Sequence, residues 1–533
     1  MSEHDRGPIQ NICILGKHLH VATVAAALSR KFMQQNINII AVNTEGNDKS
    51  VYGEASLSAL HYFHRFLGLK EHQMMAVTSA TYKLASQYKR WSCSEANDTS
   101  EKNKHSSFYH SLSSYGSMID SIAFVHHLTK LRQNNKNYDF TCFSLPAVMA
   151  RNGKFAKPES AQSALPYSYA MHIDATSYAK GMQDYATKLG VKFISSNIDN
   201  VQLKYIENNL GQPSAHVKQV TLSDGRQIKS ELFIDCTSDG ELIDKALNVG
   251  FEDWSEYLPC DRFLTCKTEL DLQLQPSTNM NLHKNGWERS FPLQNGTVKE
   301  FFYSSKYLSD DEAVKEFEAN HLNDTKILSE CRIEKQRTGR RKQFFSGNCV
   351  SMGGAAGSLD RLAVSDFHLV QSAVLRLIDL FPDTSLGQFA DNFSRNEYNH
   401  LCTEEYARIL DYHGAHFAIP AKEADESCSQ FWQAQKTAIL PDSLVKKFNL
   451  FEACGRIPFY ERETFSSSTW VSLLLGLGMH PKSYDVLLDM PPASNERSIK
   501  AINNIMNTIK DISDRAPSHA QYLRQYCVRR NNR

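Results

Sequence analysis

The sequence lacks several features that would place it in particular classes of protein. Its twelve cysteines include no C-x-x-C pair, which argues against a structural zinc site and favours free thiols in a reducing compartment. No apolar run is longer than residues 471–479, which is too short to cross a bilayer. The formal net charge is zero, so no basic field that would attract nucleic acid extends over the whole chain.

The first ten residues also lack an apolar core, so no signal peptide is expected there. What is present is the composition of a globular protein, with 41% hydrophobic and 22% charged residues in a chain of 533. That length suffices for one large domain, or for two to three smaller ones, with a sizeable core. We therefore expect a soluble, cytoplasmic protein that binds neither membranes nor nucleic acid and has no metal site.

The chain begins with the pattern of a nucleotide-binding fold. The apolar run 11–15 ends at Gly16, and apolar residues at helical spacing follow, including Val21 and Leu28. A second apolar run covers residues 37–42. Strand, helix and strand in this order predict a parallel βαβ unit, which is where a dinucleotide lies on a doubly wound sheet.

Three later patterns complete the prediction of secondary structure. Residues 217–222 and 231–236 are typical of two strands around a turn at 224–225. A helix is predicted over 367–380, with a proline just beyond it, and the chain after about residue 386 is mostly helical in pattern. These patterns indicate an α/β protein with a helical C-terminal part.

Several segments, taken in chain order, resemble the flavin-dependent tryptophan halogenases. They are residues 51–56 (VYGEAS), 82–83 (YK), 108–110 (FYH), 233–237 (FIDCT), 286–287 (GW), 348–353 (NCVSMG), 357–359 (GSL) and 465–481. No single segment is decisive, but together they span nearly the whole chain in the same order.

The resemblance implies a fold and a chemistry. A doubly wound, Rossmann-like FAD module over 1–385, with interleaved substrate-facing segments, would adjoin a mostly helical substrate-side module over 386–533. Reduced FAD, supplied by a separate flavin reductase, would react with oxygen and a halide to give hypohalous acid. A lysine and a glutamate then direct the acid to an indole, so the implied substrate is tryptophan, indole or another small aromatic. A homodimer is a further state that the resemblance leaves open.

The matched segments also imply site residues. Lys83 stands at the position of the catalytic lysine, where an ammonium binds hypohalous acid or an amine carries the halogen. The implied FAD contacts are Gly16, Gly53, Glu54, Ala55, Asp235, Gly353 and Gly354, and the implied substrate contacts are His110 and Trp470. For each, the alternative is an ordinary structural role as a surface lysine, a turn residue or a buried aromatic.

The phosphate-binding motif departs from the family pattern. The expected G-x-G-x-x-G reads GKHLHV, so Gly16 alone is kept. His18 places a side chain where bare backbone should approach the pyrophosphate, and Val21 adds bulk where helix and strand should pack closely. The acid that would bind the adenosine ribose falls near Ala41 and is missing. We therefore expect weak binding of FAD, unless the basic side chains of this turn contact phosphate.

The residues of the implied reaction centre depart as well. Ala363 and Val364 replace the family's glutamate and serine. Asp366 falls where backbone amides should hold the halide, and two anions in contact repel by roughly 1 to 4 kcal/mol. In the family's W-x-W-x-I-P motif Trp287 is kept and Arg289 replaces the second tryptophan, and that pair is thought to guard against simple monooxygenation.

Two functions from different classes stay open on the sequence alone, so we leave undecided whether the chain is an active enzyme. One is a flavin-dependent halogenase or related monooxygenase that acts on an indole or other aromatic. The other is a non-halogenating relative that kept the fold as an indole-binding, aromatic-binding or partner-binding protein. A nicotinamide-dependent oxidoreductase is disfavoured by the same missing glycines. For free tryptophan we expect no halogenation.

Overall fold

The computed structural model describes residues 9–44, 52–93, 107–158, 165–207, 213–270, 274–321, 325–382, 388–490 and 495–526. The chain divides into two compact units, each assembled from three stretches. The first unit consists of Met1–Ser79, Ile173–Ser255 and Gln336–Ala407, and the second of Ala80–His172, Glu256–Lys335 and Arg408–Arg533. The linear division into 1–385 and 386–533 stays a prediction.

The helices of the described chain are distributed over both units. They are α1 His18–Lys31, α2 Ala59–Leu67, α3 Glu71–Val77, α4 Phe124–Gln133, α5 Leu145–Arg151, α6 Ala175–Lys188, α7 Asp310–His321, α8 Asp366–Asp379, α9 Gln388–Ala421, α10 Gln430–Lys436, α11 Asp442–Cys454, α12 Ser467–Gly476, α13 Asn495–Arg515 and α14 His519–Tyr526. Short 3₁₀ turns occur at Phe140–Phe143, Gly353–Ala355 and Val486–Asp489, and a π-helical turn at Glu241–Ala246.

The strands are short and numerous. They are β1 Asn11–Gly16, β2 Asn38–Asn43, β3 Gly53–Ala55, β4 Thr81–Lys83, β5 Ala85–Lys89, β6 Ser107–Ser111, β7 Ala170–Asp174, β8 Lys192–Ser195, β9 Ile198–Glu207, β10 Pro213–Leu222, β11 Gln227–Ile228, β12 Leu232–Cys236, β13 Phe251–Asp253, β14 Arg262–Thr268, β15 Ser277–His283, β16 Gly286–Leu293, β17 Gly296–Tyr303, β18 Arg332–Lys335, β19 Gly339–Arg341, β20 Phe345–Ser346, β21 Cys349–Ser351 and β22 Gly357–Ser358.

The first unit is built on a six-stranded sheet in the order β20-β21-β12-β1-β2-β8. All neighbours except β20 and β21 run parallel, and α1 connects β1 to β2. Leu15, Val42 and Phe233 lie in the core beneath this sheet. The predicted βαβ unit is therefore confirmed. The mixture of parallel sheet and helices confirms the predicted α/β, doubly wound class.

The two strands predicted around residues 224–225 are present, but they belong to different sheets. β10 turns at Gly225 into the short strand β11, with which it pairs antiparallel. β12 instead lies between β1 and β21 in the parallel sheet. All five residues of β12 are buried, as is typical of a central strand covered on both faces. The turn therefore closes a small hairpin and does not join β10 to β12.

The second unit contains a seven-stranded sheet in the order β18-β14-β17-β16-β15-β5-β6. Its neighbours are antiparallel except β15 and β5, which run parallel. A helical cluster with a core of Ile119, Leu131, Phe143 and Ile502 completes this unit.

The predictions for the C-terminal part are confirmed. The helix predicted over 367–380 is α8, and the chain after residue 388 is mostly helical within the described ranges. Pro420 lies next to the last residue of α9, and Pro441 caps α11. In the part of the chain that the structure describes, no helix combines the length and apolarity needed to cross a bilayer.

Candidate active site

The turn between β1 and α1, in the first unit, requires the one glycine that the motif has kept. A Cβ at Gly16 would lie 2.1 Å from the carbonyl carbon of Cys236, at a φ of +139°. Lys17 N donates to Cys236 O over 3.1 Å and caps α1 in an extended conformation. No side chain caps this helix and its first turn has no acid. Its first N–H groups are therefore suited to an anion.

The two side chains that replace the missing glycines are accommodated within this unit. His18 Nε2 lies 2.6 Å from Gln183 Oε1 on α6, so the imidazole is held toward that helix. Val21 is fully buried, and α1 nevertheless forms a regular helix after β1. The substitutions therefore alter the turn without preventing the βαβ fold.

The second strand extends beyond the residue near which the sequence placed the ribose-binding acid. Ala41 is an interior residue of β2, paired with Ile14 and Phe193, and the strand continues for two residues beyond it. The strand ends at Asn43, opposite Gly16. Asn43 Oδ1 is buried and has no hydrogen-bond partner among the described residues. An amide can bind a sugar hydroxyl, so the end of β2 has a polar group that is suited to such a contact.

The Gly353–Gly354 loop packs against α1 and the end of β12. Gly353 has a φ of +60°, and a Cβ there would lie 2.3 Å from His20 Nδ1. A Cβ at Gly354 would lie 2.9 Å from Ser238 O. Burial lowers the pKa of His20 to about 3, with Lys17 adding to the effect, so this imidazole is neutral at pH 7. The loop therefore needs glycine at both positions for close packing.

Asp235 holds the chain that follows β12. Its carboxylate accepts hydrogen bonds from Thr237 Oγ1 at 2.6 Å and from the backbone N–H groups of Leu242 and Ile243 at 2.8 and 2.9 Å. Burial raises the pKa of Asp235, and these hydrogen bonds oppose the rise. The structure thus gives Asp235 a positioning role beside the Gly353 loop, where Met352 N donates to Asp235 O. Its contact with FAD stays a prediction.

The strap Gly53–Ala55 forms β3, and all three of its residues are buried. Glu54 makes an ion pair with Arg361, and both side chains are less than a tenth exposed. The charge of Arg361 also lowers the pKa of His20. The strap, the Gly353–Gly354 loop and the turn after β1 therefore come together in one part of the first unit. The sequence indicated neither member of this pair as an ion-pair partner, because 307 residues separate them.

The segment that should carry the catalytic glutamate leads into α8. Ala363 is partly buried there, and Asp366 is the first residue of the helix, after the N-cap residue Ser365. Burial raises the pKa of Asp366 to about 6, while Arg361 opposes the rise and Glu54 adds to it. The carboxyl group is therefore at the helix start that the resemblance assigns to a halide.

The substitution Asp366→Asn is expected to stabilise the protein at pH 7 by about 1 to 3 kcal/mol. The folded-state pKa of Asp366 is raised, so the stability linked to its protonated form is present below pH 3.8 and is lost as the pH rises through about 6. Urea unfolding at pH 4 and pH 7 measures the effect. A gain at pH 7 that disappears at pH 4 is expected, and an equal gain at both values would contradict the assignment.

Lys83 ends β4 in the second unit. Its side chain is 7% exposed, and in register it lies opposite Ala170 on β7. Burial lowers the pKa values of His110, to about 3, and of His172, and the positive charge of Lys83 adds to both effects. Lys83 therefore stands beside two neutral imidazoles in a largely dehydrated environment.

His110 belongs to a network of aromatic and imidazole side chains. Its Nδ1–H donates to Ser111 O at 2.9 Å, and its Nε2 accepts from the Tyr412 hydroxyl at 2.5 Å. His416, one turn further along α9, donates to Tyr412 O and accepts from the Tyr88 hydroxyl. No motif in the sequence singled out Tyr412 and His416, although their i, i+4 spacing in the helical part placed them on one helix face.

Trp470 is fully buried on α12. Its ring packs edge-on against Tyr412 at 4.9 Å, and Lys447 Nζ lies 4.7 Å from the ring centre. Lys447, which is also fully buried, makes ion pairs with Asp411 at 2.8 Å and Glu463 at 3.0 Å. Trp470 Nε1 is buried and has no hydrogen-bond partner in the described chain. Lys83 and Trp470 are thereby linked through His110 and Tyr412.

The altered tryptophan motif lies on β16 of the same unit. Trp287 stacks on Phe302 with ring centres 4.1 Å apart. Arg289 is opposite Glu300 on β17 and makes an ion pair with it, and the two side chains are 3% and 0% exposed. The charge that replaced the second tryptophan is therefore neutralised by a directly facing residue. Among the described residues, no group of three or more His, Cys, Asp or Glu side chains is arranged to bind a metal ion.

Comparisons with known proteins agree with this architecture. A family described as tryptophan halogenase matches residues 11–493. Tryptophan 7-halogenase RebH of Lentzea aerocolonigenes is 26% identical over 549 residues, covering 97% of this chain and 99% of that protein.

Two solved structures are similar in both sequence and fold. BrvH, a flavin-dependent halogenase from Brevundimonas sp. BAL3, is 29% identical with a TM-score of 0.85, covering 97% of this chain and 99% of that one. Xcc4156, a flavin-dependent halogenase from Xanthomonas campestris, is 28% identical with a TM-score of 0.86, covering 98% and 99%. Since the family match extends over most of the sequence and the relatives are aligned over nearly their full lengths, this chain belongs to the tryptophan halogenase family.

Proposed function

We propose that this protein is a flavin-dependent halogenase that acts on an indole or another small aromatic, with Lys83 as its catalytic residue. The observation that carries the proposal is the burial of Lys83 beside His110 and His172, both of which are neutral. A dehydrated amine can hold or carry an electrophilic halogen, whereas a solvated surface lysine would release it to water. Membership in the halogenase family does not favour the alternative of a non-halogenating relative.

FAD is the cofactor that the first unit fits. Gly16 lets the turn before α1 pack tightly against the end of β12, the start of α1 has no capping side chain, and Asn43 has a buried amide oxygen without a partner in the described chain. His18 is held by Gln183 instead of covering the turn. When bound, reduced FAD would supply the two electrons that convert oxygen into an oxidant of the halide. Two glycines are still missing, so we expect the affinity for FAD to be low.

The second unit supplies the side chains for an aromatic substrate. His110 is fixed by hydrogen bonds at both ring nitrogens and cannot easily turn. Trp470 presents a buried indole whose orientation is set by Tyr412 and Lys447. Aromatic rings prefer such stacked or edge-on neighbours. We therefore assign His110 and Trp470 to substrate binding, with Lys83 delivering the halogen.

The missing glutamate sets the expected rate. Ala363 offers no carboxylate to orient the oxidant or accept the ring proton. Asp366, when charged, opposes a halide at the start of α8. We therefore propose a slow halogenase that needs an electron-rich ring, such as free indole, more than its relatives do.

A coupled assay tests the proposed function. Purified protein, a flavin reductase, NADH, FAD, oxygen and bromide are incubated with indole or with tryptophan, and products are analysed by mass spectrometry. We expect a monobrominated indole and no bromotryptophan. Bromotryptophan would contradict the expectation about the substrate. The absence of every brominated product, with FAD bound and the protein folded, would overturn the proposed function.

The remaining assignments concern the functional partner, the assembly and the location of the protein. We propose a separate flavin reductase as a functional partner that need not bind this chain, and a homodimer stays a prediction about assembly. A cytoplasmic location is supported by the eleven cysteines of the described chain, all of which are free thiols.

A further inference from the structure

Arg289, which replaces the second tryptophan of the motif, is buried together with an oppositely charged partner. Arg289 and Glu300 face each other across β16 and β17 and form an ion pair that is almost completely buried. The guanidinium also lies 5.7 Å from the ring centre of Phe291 and 5.6 Å from that of Phe302. Burying two charges costs several kcal/mol each before their attraction is counted, so a pair of this kind is poor evidence for stability alone.

A chain of contacts leads from this pair to the face that carries Lys83. Phe291, two residues after Arg289 on the same strand, stacks on His172 with ring centres 4.9 Å apart and planes within 16°. Thr81 pairs with His172 across β4 and β7, and its hydroxyl donates to Pro292 O at 2.6 Å. β16 is thereby joined to β4 through both a ring contact and a hydrogen bond.

Lys83 shares this face because side chains two residues apart on a strand point the same way. Thr81 faces His172, so Lys83 faces it diagonally, a separation that a long side chain can span. The positive charges of Lys83 and Arg289 both lower the pKa of His172. The imidazole therefore lies near both cations.

The hydrogen bonds of His172 keep it in one neutral form. The Thr81 hydroxyl donates its hydrogen bond to Pro292 O, so Thr81 Oγ1 accepts from His172 Nδ1–H at 3.1 Å. His172 Nε2 then accepts from Thr278 Oγ1 at 2.9 Å. Burial and the charges of Lys83 and Arg289 hold the pKa of His172 well below its usual value, so the ring adds no charge of its own at pH 7.

We propose that the buried Arg289–Glu300 pair controls the charge state of Lys83. Removing the charge of Glu300 should lower the proton affinity of Lys83, and removing the charge of Arg289 should raise it. This inference rests on the proposed function, in which Lys83 handles the halogen. An ammonium can only donate hydrogen bonds, whereas a neutral amine can bond to the halogen directly. Arg289 and Glu300 are positioning residues here, since they act through Lys83.

The charged and titratable side chains around this face come from several strands and helices. They are His110 on β6, His172 on β7, Arg289 on β16, Glu300 on β17, His416 on α9 and His519 on α14. Burial keeps the four imidazoles neutral near pH 7, so the ion pair supplies the fixed charges. Charges interact more strongly where water is excluded than in solvent.

The test measures protonation of Lys83 directly, in the protein as purified. Acetylation by acetic anhydride is followed from pH 6 to 11, and the modified peptide is quantified by mass spectrometry. The pH at which the rate of labelling of Lys83, divided at each pH by that of a reference lysine, is half-maximal reports its proton affinity. Exposed Lys192, in the other unit, serves as the reference for the reagent.

We expect Glu300→Gln to lower the labelling midpoint of Lys83 by about one pH unit, because Arg289 is left uncompensated. Arg289→Met should raise it. In Arg289→Met the remaining Glu300 is buried and unpaired, so the double variant Arg289→Met/Glu300→Gln serves as the neutral reference with a midpoint between the two. Circular dichroism and thermal unfolding establish that each variant is folded.

A loss of packing would move both single variants in the same direction or leave both midpoints unchanged, and either result would overturn the inference. If Arg289→Met does not fold, a comparison of wild type, Glu300→Gln and the double variant still decides the sign. The labelling does not require turnover, so its outcome is separate from that of the halogenation assay. If the protein brominates nothing but the two single variants shift the labelling midpoint in opposite directions as expected, the proposed function is overturned and the electrostatic coupling is supported.

Discussion

Replacement of Lys83 by methionine is expected to lower the rate of bromination of indole by about 10²- to 10⁴-fold. Methionine keeps the length of the side chain and removes the amine, so the halogen loses the one buried cation that we assign to it. Lys83 lies in the second unit, and the residues that we assign to FAD lie in the first. Methionine leaves every residue that we assign to FAD unchanged, so the affinity for FAD should change by less than about twofold, within a few tenths of a kcal/mol.

Two measurements separate loss of chemistry from loss of structure. Product formation is followed by mass spectrometry with reductase, NADH and bromide in excess, and FAD binding is followed by flavin fluorescence. Lys284→Met is the matched control, since Lys284 is an exposed lysine of the same unit and its substitution should leave the rate unchanged. If Lys83→Met keeps more than about a tenth of the wild-type rate, Lys83 is not the catalytic residue.

Introduction of a carboxylate by Ala363→Glu is expected to raise the bromination rate by about 10- to 100-fold. The family's glutamate occupies this position, and the lost group would orient the oxidant or accept the ring proton. Arg361, two residues earlier, is already paired with Glu54, so it should not capture the new side chain. The gain should be largest for substrates whose ring proton leaves slowly, including tryptophan.

The control for this gain is Ala363→Gln, which adds nearly the same volume and hydrogen-bonding capacity without the acid. Ala363 is partly buried, so either variant is expected to lose about 1 to 3 kcal/mol of stability, and rates must be compared below both unfolding temperatures. Equal rates for the glutamate and glutamine variants would contradict a role for the missing acid. Combination with Asp366→Asn should add to the gain, because one fewer carboxylate opposes the halide.

The match between sequence and fold follows from local periodicity. The apolar runs and the helical spacing after Gly16 predicted β1, α1 and β2 within a residue or two, since a parallel strand covered on both faces needs a continuous apolar run. The same reasoning predicted β10 and β12 as strands but not their sheets. Which strands pair depends on contacts between residues far apart in the chain, and periodicity carries no information about them.

Several features of the site could not be predicted from periodicity or motif spacing. A shift of two residues separates Ala41, where the ribose-binding position was expected, from Asn43, where the strand ends. A motif gives spacing, but the end of a strand is set by where its hydrogen-bonded neighbours end. The networks around His110 and Trp470 were likewise missed, because their partner Tyr412 lies about 300 residues from His110 along the chain.

The sequence by itself determined the family, the α/β class and the identities of the altered residues, including Arg289, Ala363 and Asp366. Tertiary structure alone decided how such side chains are accommodated: Glu300 neutralises Arg289, and Gln183 holds His18. The physical reason is that the energy of a charge depends on its burial and its partners. Both are properties of the folded chain, in which residues hundreds of positions apart come into contact.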